Sequence, residues 1–166
     1  MVVTFEGFPR VIDREALRPG RWFVAGEGAR PIVCFSTEEG GDGGDRLILT
    51  FGTTRSESLD FAPASLKSLT GPLATLEHEV VFTPGLAGHS PQLVAPIRRA
   101  FRPGALLRLR NGDLGVGFAG QANGALTIIS LATGFRAEGF DLVFDRWSLS
   151  LRRGASELLV GSFRPV

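Results

Sequence analysis

The residues best suited to chemistry in this 166-residue chain lie in two short stretches. The first is Gly40-Gly41-Asp42-Gly43-Gly44-Asp45-Arg46-Leu47-Ile48. It fits, at every fixed position, the nonapeptide G-G-x-G-x-D-x-U-x that binds calcium in the stacked turns of parallel β-helices. A calcium ion takes about 6–8 oxygens, and in that architecture neighbouring turns share the work. One copy supplies too few, so Asp42 and Asp45 are weak calcium candidates and no metal is expected. The plain reading is a solvated loop tip that follows Glu38-Glu39. The second stretch carries Arg98, Arg99, Arg102, Arg108 and Arg110, separated only by apolar or small residues. Clustered guanidinium groups can hold phosphates and form the footprint of a nucleic-acid surface. Arg108 and Arg110 also alternate with Leu107 and Leu109, which is what the wet face of a half-buried strand looks like.

Other reactive side chains do not converge. Two histidines, His78 and His89, and one cysteine, Cys34, cannot by themselves assemble a zinc site or a nucleophile with its base. Cys34 sits in the apolar run Pro31-Ile32-Val33-Cys34-Phe35 and reads as a small buried hydrophobe. No serine lies in a G-x-S-x-G elbow, and no glycine loop opens a helix to cradle phosphate. Asp60 and Asp141 fall at matching places in an internal repeat, where equal positions do equal structural jobs, such as an Asx bond. Trp22 and Trp147 do not match in that repeat and read as core. The expectation is a protein that is not an enzyme and needs no cofactor.

The elements that must position these residues are short strands. The chain has 22 glycines and 10 prolines among 43% hydrophobic residues, including 13 phenylalanines but no tyrosine. Glycine and proline punctuate elements rather than fill them. Leu17-Arg18-Pro19-Gly20 recurs as Phe101-Arg102-Pro103-Gly104. Each copy is followed by an apolar run, a turn and a second run, so that Phe35 matches Phe118. Further on, Leu47-Ile48-Leu49 matches Ile128-Ile129-Ser130, Leu59-Asp60-Phe61 matches Phe140-Asp141-Leu142, and Val80-Val81-Phe82 matches Gly161-Ser162-Phe163. The order of these matches points to a tandem duplication, with one unit over 1–84 and its repeat over 85–166. Asn111-Gly112 and Asn123-Gly124 are hairpin signals of the type I′ kind. They place strands at 105–110, 114–119 and 125–131, with later runs at 140–149 and 157–163. Helix is limited to a turn capped by Asp13 and another after Ser90-Pro91. The fold class is all-β. Five short strands with a tight hairpin after a Pro-Gly entry resemble an SH3-like barrel, a shape that closes its own edges.

The formal net charge is +1, from seventeen arginines and Lys67 against 17 acidic residues, so no global field draws in a polyanion. The N-terminus lacks the pattern of a secretion signal. No apolar run approaches the roughly 20 residues a membrane helix needs. The expected place is the cytoplasm or an intracellularly assembled particle. Two functions are consistent with this sequence. The favoured one is a structural or assembly component of a multi-subunit particle, for example a phage virion or tail protein, acting by protein–protein contacts or self-assembly. Its terminal strands, Val2-Val3-Thr4-Phe5 and Leu158 to Phe163, suit edge addition. The other is a nucleic-acid-binding or regulatory module that uses the Arg98–Arg110 cluster.

Overall fold

Alternating apolar residues and frequent turn formers produce a chain of fourteen strands among the described residues. The computed structural model describes residues 10–26, 31–40, 44–54, 56–85, 101–119 and 124–164, with the backbone of 92–93. Asp42, His89, the Ser90-Pro91 turn, Arg98, Arg99 and Val2 to Phe5 lie outside these. In order the strands are β1 (Val11–Ile12), β2 (Trp22–Ala25), β3 (Ile32–Gly40), β4 (Arg46–Thr53), β5 (Leu59–Ser65), β6 (Leu73–Thr75) and β7 (Glu79–Pro84). Then come β8 (Gln92–Leu93), β9 (Leu106–Leu109), β10 (Leu114–Ala119), β11 (Leu126–Ser130), β12 (Phe140–Phe144), β13 (Trp147–Arg153) and β14 (Ser156–Phe163). One 3-10 turn spans Leu66–Ser68.

The all-β reading holds. The strands make three antiparallel sheets, of orders β1-β6-β2-β3-β4-β5, β8-β12-β9-β10-β11 and β14-β13-β7. Among the described residues none of the sheets closes on itself, unlike the closed barrel expected from the sequence. The first two nevertheless share one strand order, with β1, β6, β2, β3 and β4 in the places of β8, β12, β9, β10 and β11. The lone bridge Ile129↔Arg136 stands where β5 would run. The Pro-Gly entries are also alike: Gly20 N–H donates to Ser36 O at 2.8 Å, and Gly104 N–H to Gly117 O at 2.7 Å.

Sheet position revises part of the sequence comparison. β12 stands at the sheet position of β6, not β5, and β13 follows β12 along the chain as β7 follows β6. Asp60 and Asp141 are therefore not matched. Asp60 is exposed on β5, whereas Asp141 binds an arginine. Similar apolar patterns on neighbouring strands of one sheet permit this slip, because period-2 burial looks the same on each. The run expected at 140–149 is broken at Asp145-Arg146, where the chain passes from the second sheet to the third. The turn at Asn111-Gly112 differs as well. Gly112 N–H bonds Leu109 O at 2.9 Å and only Gly112 has positive φ, at 90°. That is a type I turn followed by a glycine bulge rather than type I′.

Each of the two large sheets is buried on both faces. One face of the first packs Leu17, Phe23, Cys34, Ile48 and Leu73, and one face of the second packs Leu107, Leu109, Ile128 and Phe101. The opposite faces meet in a common core. Val33, Phe35, Leu49 and Phe51 of the first sheet lie there with Leu106, Val116, Phe118 and Ile129 of the second, and with Trp147 and Leu149 of the third. Trp147 is fully buried, stacks on Phe163 with centroids 5.2 Å apart, and donates its indole N–H to Gly104 O at 2.8 Å. Trp22 packs against the same core, tilted on Phe35 at 4.6 Å.

Candidate functional site

The alternation in β9 buries Leu107 and Leu109 and turns Arg108 outward, with Arg110 exposed just beyond the strand. Arg108 spends its guanidinium on Asp141, with Nε and Nη2 donating to the two carboxylate oxygens at 2.8 and 2.7 Å. These bonds hold the Asp141 carboxyl below its ordinary range and raise the Arg108 guanidinium. Arg110 lies against the backbone of Gly139, where a Cβ would meet its Nε at 2.8 Å. Arg102 is exposed on the Pro-Gly turn. The described part of the basic row is thus a strand face plus one turn residue, with its middle charge already paired.

Asp45 is likewise committed. Its Oδ2 accepts from Ser65 Oγ at 2.5 Å and from Lys67 N–H at 2.6 Å. The Ser65 bond is the main reason its carboxyl sits below the ordinary range. The carboxylate fastens the start of the 3-10 turn. A cleft of about 500 Å³ opens beside it, lined by Arg14, Glu38, Arg46, Leu66 and Lys67 among others. Its main cations are occupied too. Arg14 donates to the carbonyls of Leu66, Leu69 and Gly71 at 2.9, 2.7 and 2.8 Å, and Arg46 donates to that of Leu17. These bonds tie loops to one another and make the cleft a seam. Among the described residues no three His, Cys, Asp or Glu side chains gather as a metal site, and no helix is long and apolar enough to cross a membrane.

Cys34 is fully buried on β3, and burial pushes its thiol up to about 12. A thiol so hard to ionise packs as a hydrophobe rather than attacking.

What remains available is backbone at sheet edges, where unpaired N–H and C=O groups can template another strand. The edges are not equal. β1 and β8 are two residues each. β5 has Pro63, which lacks a donor, in its middle, and charged Asp60 near its start. β11 is covered along 128–130 by the turn after it, through Ser130 N–H to Phe135 O and Ala137 N–H to Ile128 O, both 2.9 Å. β14 is fastened by Ser162 N–H to Glu57 O and Thr53 Oγ to Val160 O, both 2.9 Å.

β7 differs from all of these. It pairs with β13 from Glu79↔Arg152 to Trp147↔Pro84 without a bulge, and among the described residues it ends its sheet. Gly85 N–H bonds Arg146 O at 2.8 Å just past the strand. Hydrogen-bonded pairs alternate along an antiparallel ladder, so Glu79, Val81 and Thr83 direct their backbone groups at β13. Val80, Phe82 and Pro84 direct theirs outward. The side chains of Val80 and Phe82 pack on the common core, which places those of Glu79, Val81 and Thr83 on the outer face. Residues 80–84 carry no charge. The sequence singled out only the chain termini as pairing strands. The signal for β7 was present in Val80-Val81-Phe82-Thr83, an apolar run free of lysine, but only the sheet order shows that it is an edge.

No family model, curated protein or solved structure matches the chain.

Proposed function

We propose that this protein is a non-enzymatic structural component of a multi-subunit assembly, such as a virion or tail particle, that binds protein neighbours by strand addition. The observation that carries the reading is the outer edge of β7, unpaired among the described residues, uncharged from Val80 to Pro84 and continuous with a sheet whose other edge is fastened. Strand addition derives affinity from main-chain hydrogen bonds and specificity from alternate side chains. It needs a rigid template, and the common core behind Val80 and Phe82 supplies one.

The same proposal treats the chain as a duplicated unit, 1–84 and 85–166, each an opened version of a small SH3-like β-unit. The shared strand order and the matching Gly20–Ser36 and Gly104–Gly117 bonds support this. In such a molecule β7 and β13 are like strands, meeting antiparallel where the two units join. The arginine row is weaker ground for a nucleic-acid module, because Asp141 already binds Arg108.

The test is the native mass of the full chain by size exclusion with light scattering, both alone and from its source. A defined oligomer or particle is expected. A free monomer in both preparations overturns the assembly role.

A further inference from the structure

Granting that β7 is the assembly edge, we infer that the strand it takes up is β7 of a second copy, in a two-fold dimer whose axis passes beside Val81. The join inside the molecule sets the precedent. β7 and β13 follow matching strands of the two large sheets, and they pair antiparallel with residues 79–84 against 147–152. A second copy meeting the outer edge repeats that operation and extends the sheet to β14-β13-β7-β7′-β13′-β14′. Two-fold pairing presents the same patch from each copy, so the edge must complement itself.

It does so in one register. With Val81 facing Val81′, Val80 lies opposite Phe82′, and the outward N–H and C=O groups of these residues exchange four hydrogen bonds across the seam. None of the four requires an N–H from Pro84. Moving the axis to Phe82 instead places Val80 opposite Pro84′ and loses a donor on each side. The charges agree with the same register. Glu79 falls opposite Thr83′, not opposite another carboxylate, and it stays near Arg152 of its own chain, 3.7 Å away. No lysine or arginine on the strand repels the mate.

The experiment is a concentration series of the full chain by sedimentation equilibrium, with Thr83→Glu, Thr83→Lys and Val81→Cys. Thr83 is exposed and faces Ser148 in its own sheet, so both replacements leave the fold intact. Non-hydrogen-bonded cross-strand neighbours interact by about 0.2–1 kcal/mol each, and two-fold symmetry counts each one twice. Thr83→Glu is expected to weaken the dimer by about fivefold, and Thr83→Lys to tighten it by a similar factor, through Glu79′. Under mild oxidation Val81→Cys gives a covalent dimer, since directly opposed residues in such pairs lie about 4.5 Å apart, within disulfide reach. Buried Cys34 does not compete. An oligomer that ignores the sign of the charge at position 83 and fails to cross-link overturns the β7–β7′ pairing but leaves the assembly role standing. A monomer at every concentration, with no cross-link, also overturns the β7–β7′ pairing, and the assembly role falls with it only where the protein from its source is a free monomer as well.

Discussion

Two glycines with positive φ separate conformational from steric demand at the residue scale. Gly104 has φ 89°, and a Cβ there would meet the Phe163 ring at 2.3 Å. Gly112 has φ 90° with open space around it. Gly112→Ala should therefore cost only the backbone term, about 1 kcal/mol. Gly104→Ala should add the displacement of Phe163 from Trp147 and reach about 3 kcal/mol. Urea midpoints of the two variants check the difference, and equal losses would remove the ring contact from the account. Cys34 supplies a second prediction, in pH. Its thiol is pushed up to about 12 in the folded protein, against about 8.5 in an unfolded chain. Below the lower value both states are protonated and pH has no effect through this group. Between the two, the unfolded chain releases a proton that the native chain keeps, so stability falls as pH rises. The absence of tyrosine, with Lys67 as the only lysine, leaves this window unusually clear of other titrations. The loss from pH 8 to pH 10 should be about 2 kcal/mol and should be absent in Cys34→Ala.

Trp147 ties elements together at the next scale, linking the third sheet to the Pro-Gly entry of the second through Gly104 O. Trp147→Phe strands that carbonyl in a dry core and leaves a void, and should destabilise by about 2–4 kcal/mol in chemical denaturation. A loss as small as that of a surface mutation would mean that the bond is not structural. The sequence made several elements legible for reasons these residues display. Leu106 to Leu109 and Leu114 to Ala119 are short apolar runs bounded by turn formers, so their strands appear within a residue of the expected limits. The turn at Asp13 also appears, with its carboxylate accepting from Glu15 N–H at 3.1 Å. The sheet neighbours were not legible. Local pattern fixes which side of a strand is wet, but it does not say which strand lies beside it. Leu59-Asp60-Phe61 and Phe140-Asp141-Leu142 share a pattern without sharing a sheet position, and no local pattern marks β7 as an edge. The partners of the candidate calcium loop were not legible for a related reason: the motif specifies Asp45, but Ser65 and the Lys67 amide, distant in sequence, hold its oxygen. Adding calcium should leave the thermal midpoint unmoved, whereas Asp45→Ala should lower stability by about 1 kcal/mol through the lost cap-like bonds.

The whole molecule turns on how the two halves share apolar surface. The central core draws Phe35, Leu49 and Phe51 from residues 1–84, and Leu106, Phe118 and Trp147 from residues 85–166, all but fully buried. The third sheet adds a hydrogen-bonded strap, since β7 belongs to the first half and β13 and β14 to the second. The turn at 131–136 closes the other side, with Glu38 N–H on Gly134 O at 2.8 Å and Arg136 gripping Glu39 with two bonds. Each half alone would expose its side of that core, and units of about 80 residues have little stability to lose. The two halves are expected to melt as one, because neither small private cluster suffices without the shared one. Calorimetry should show a single transition whose van't Hoff and calorimetric enthalpies agree. Residues 1–84 and 85–166 expressed separately should give no cooperative transition, and mixing them should restore one. Two resolved transitions in the intact chain, or a half that folds on its own, would show that each unit's private cluster is enough. The common core would then be an interface between finished domains rather than the centre of one fold.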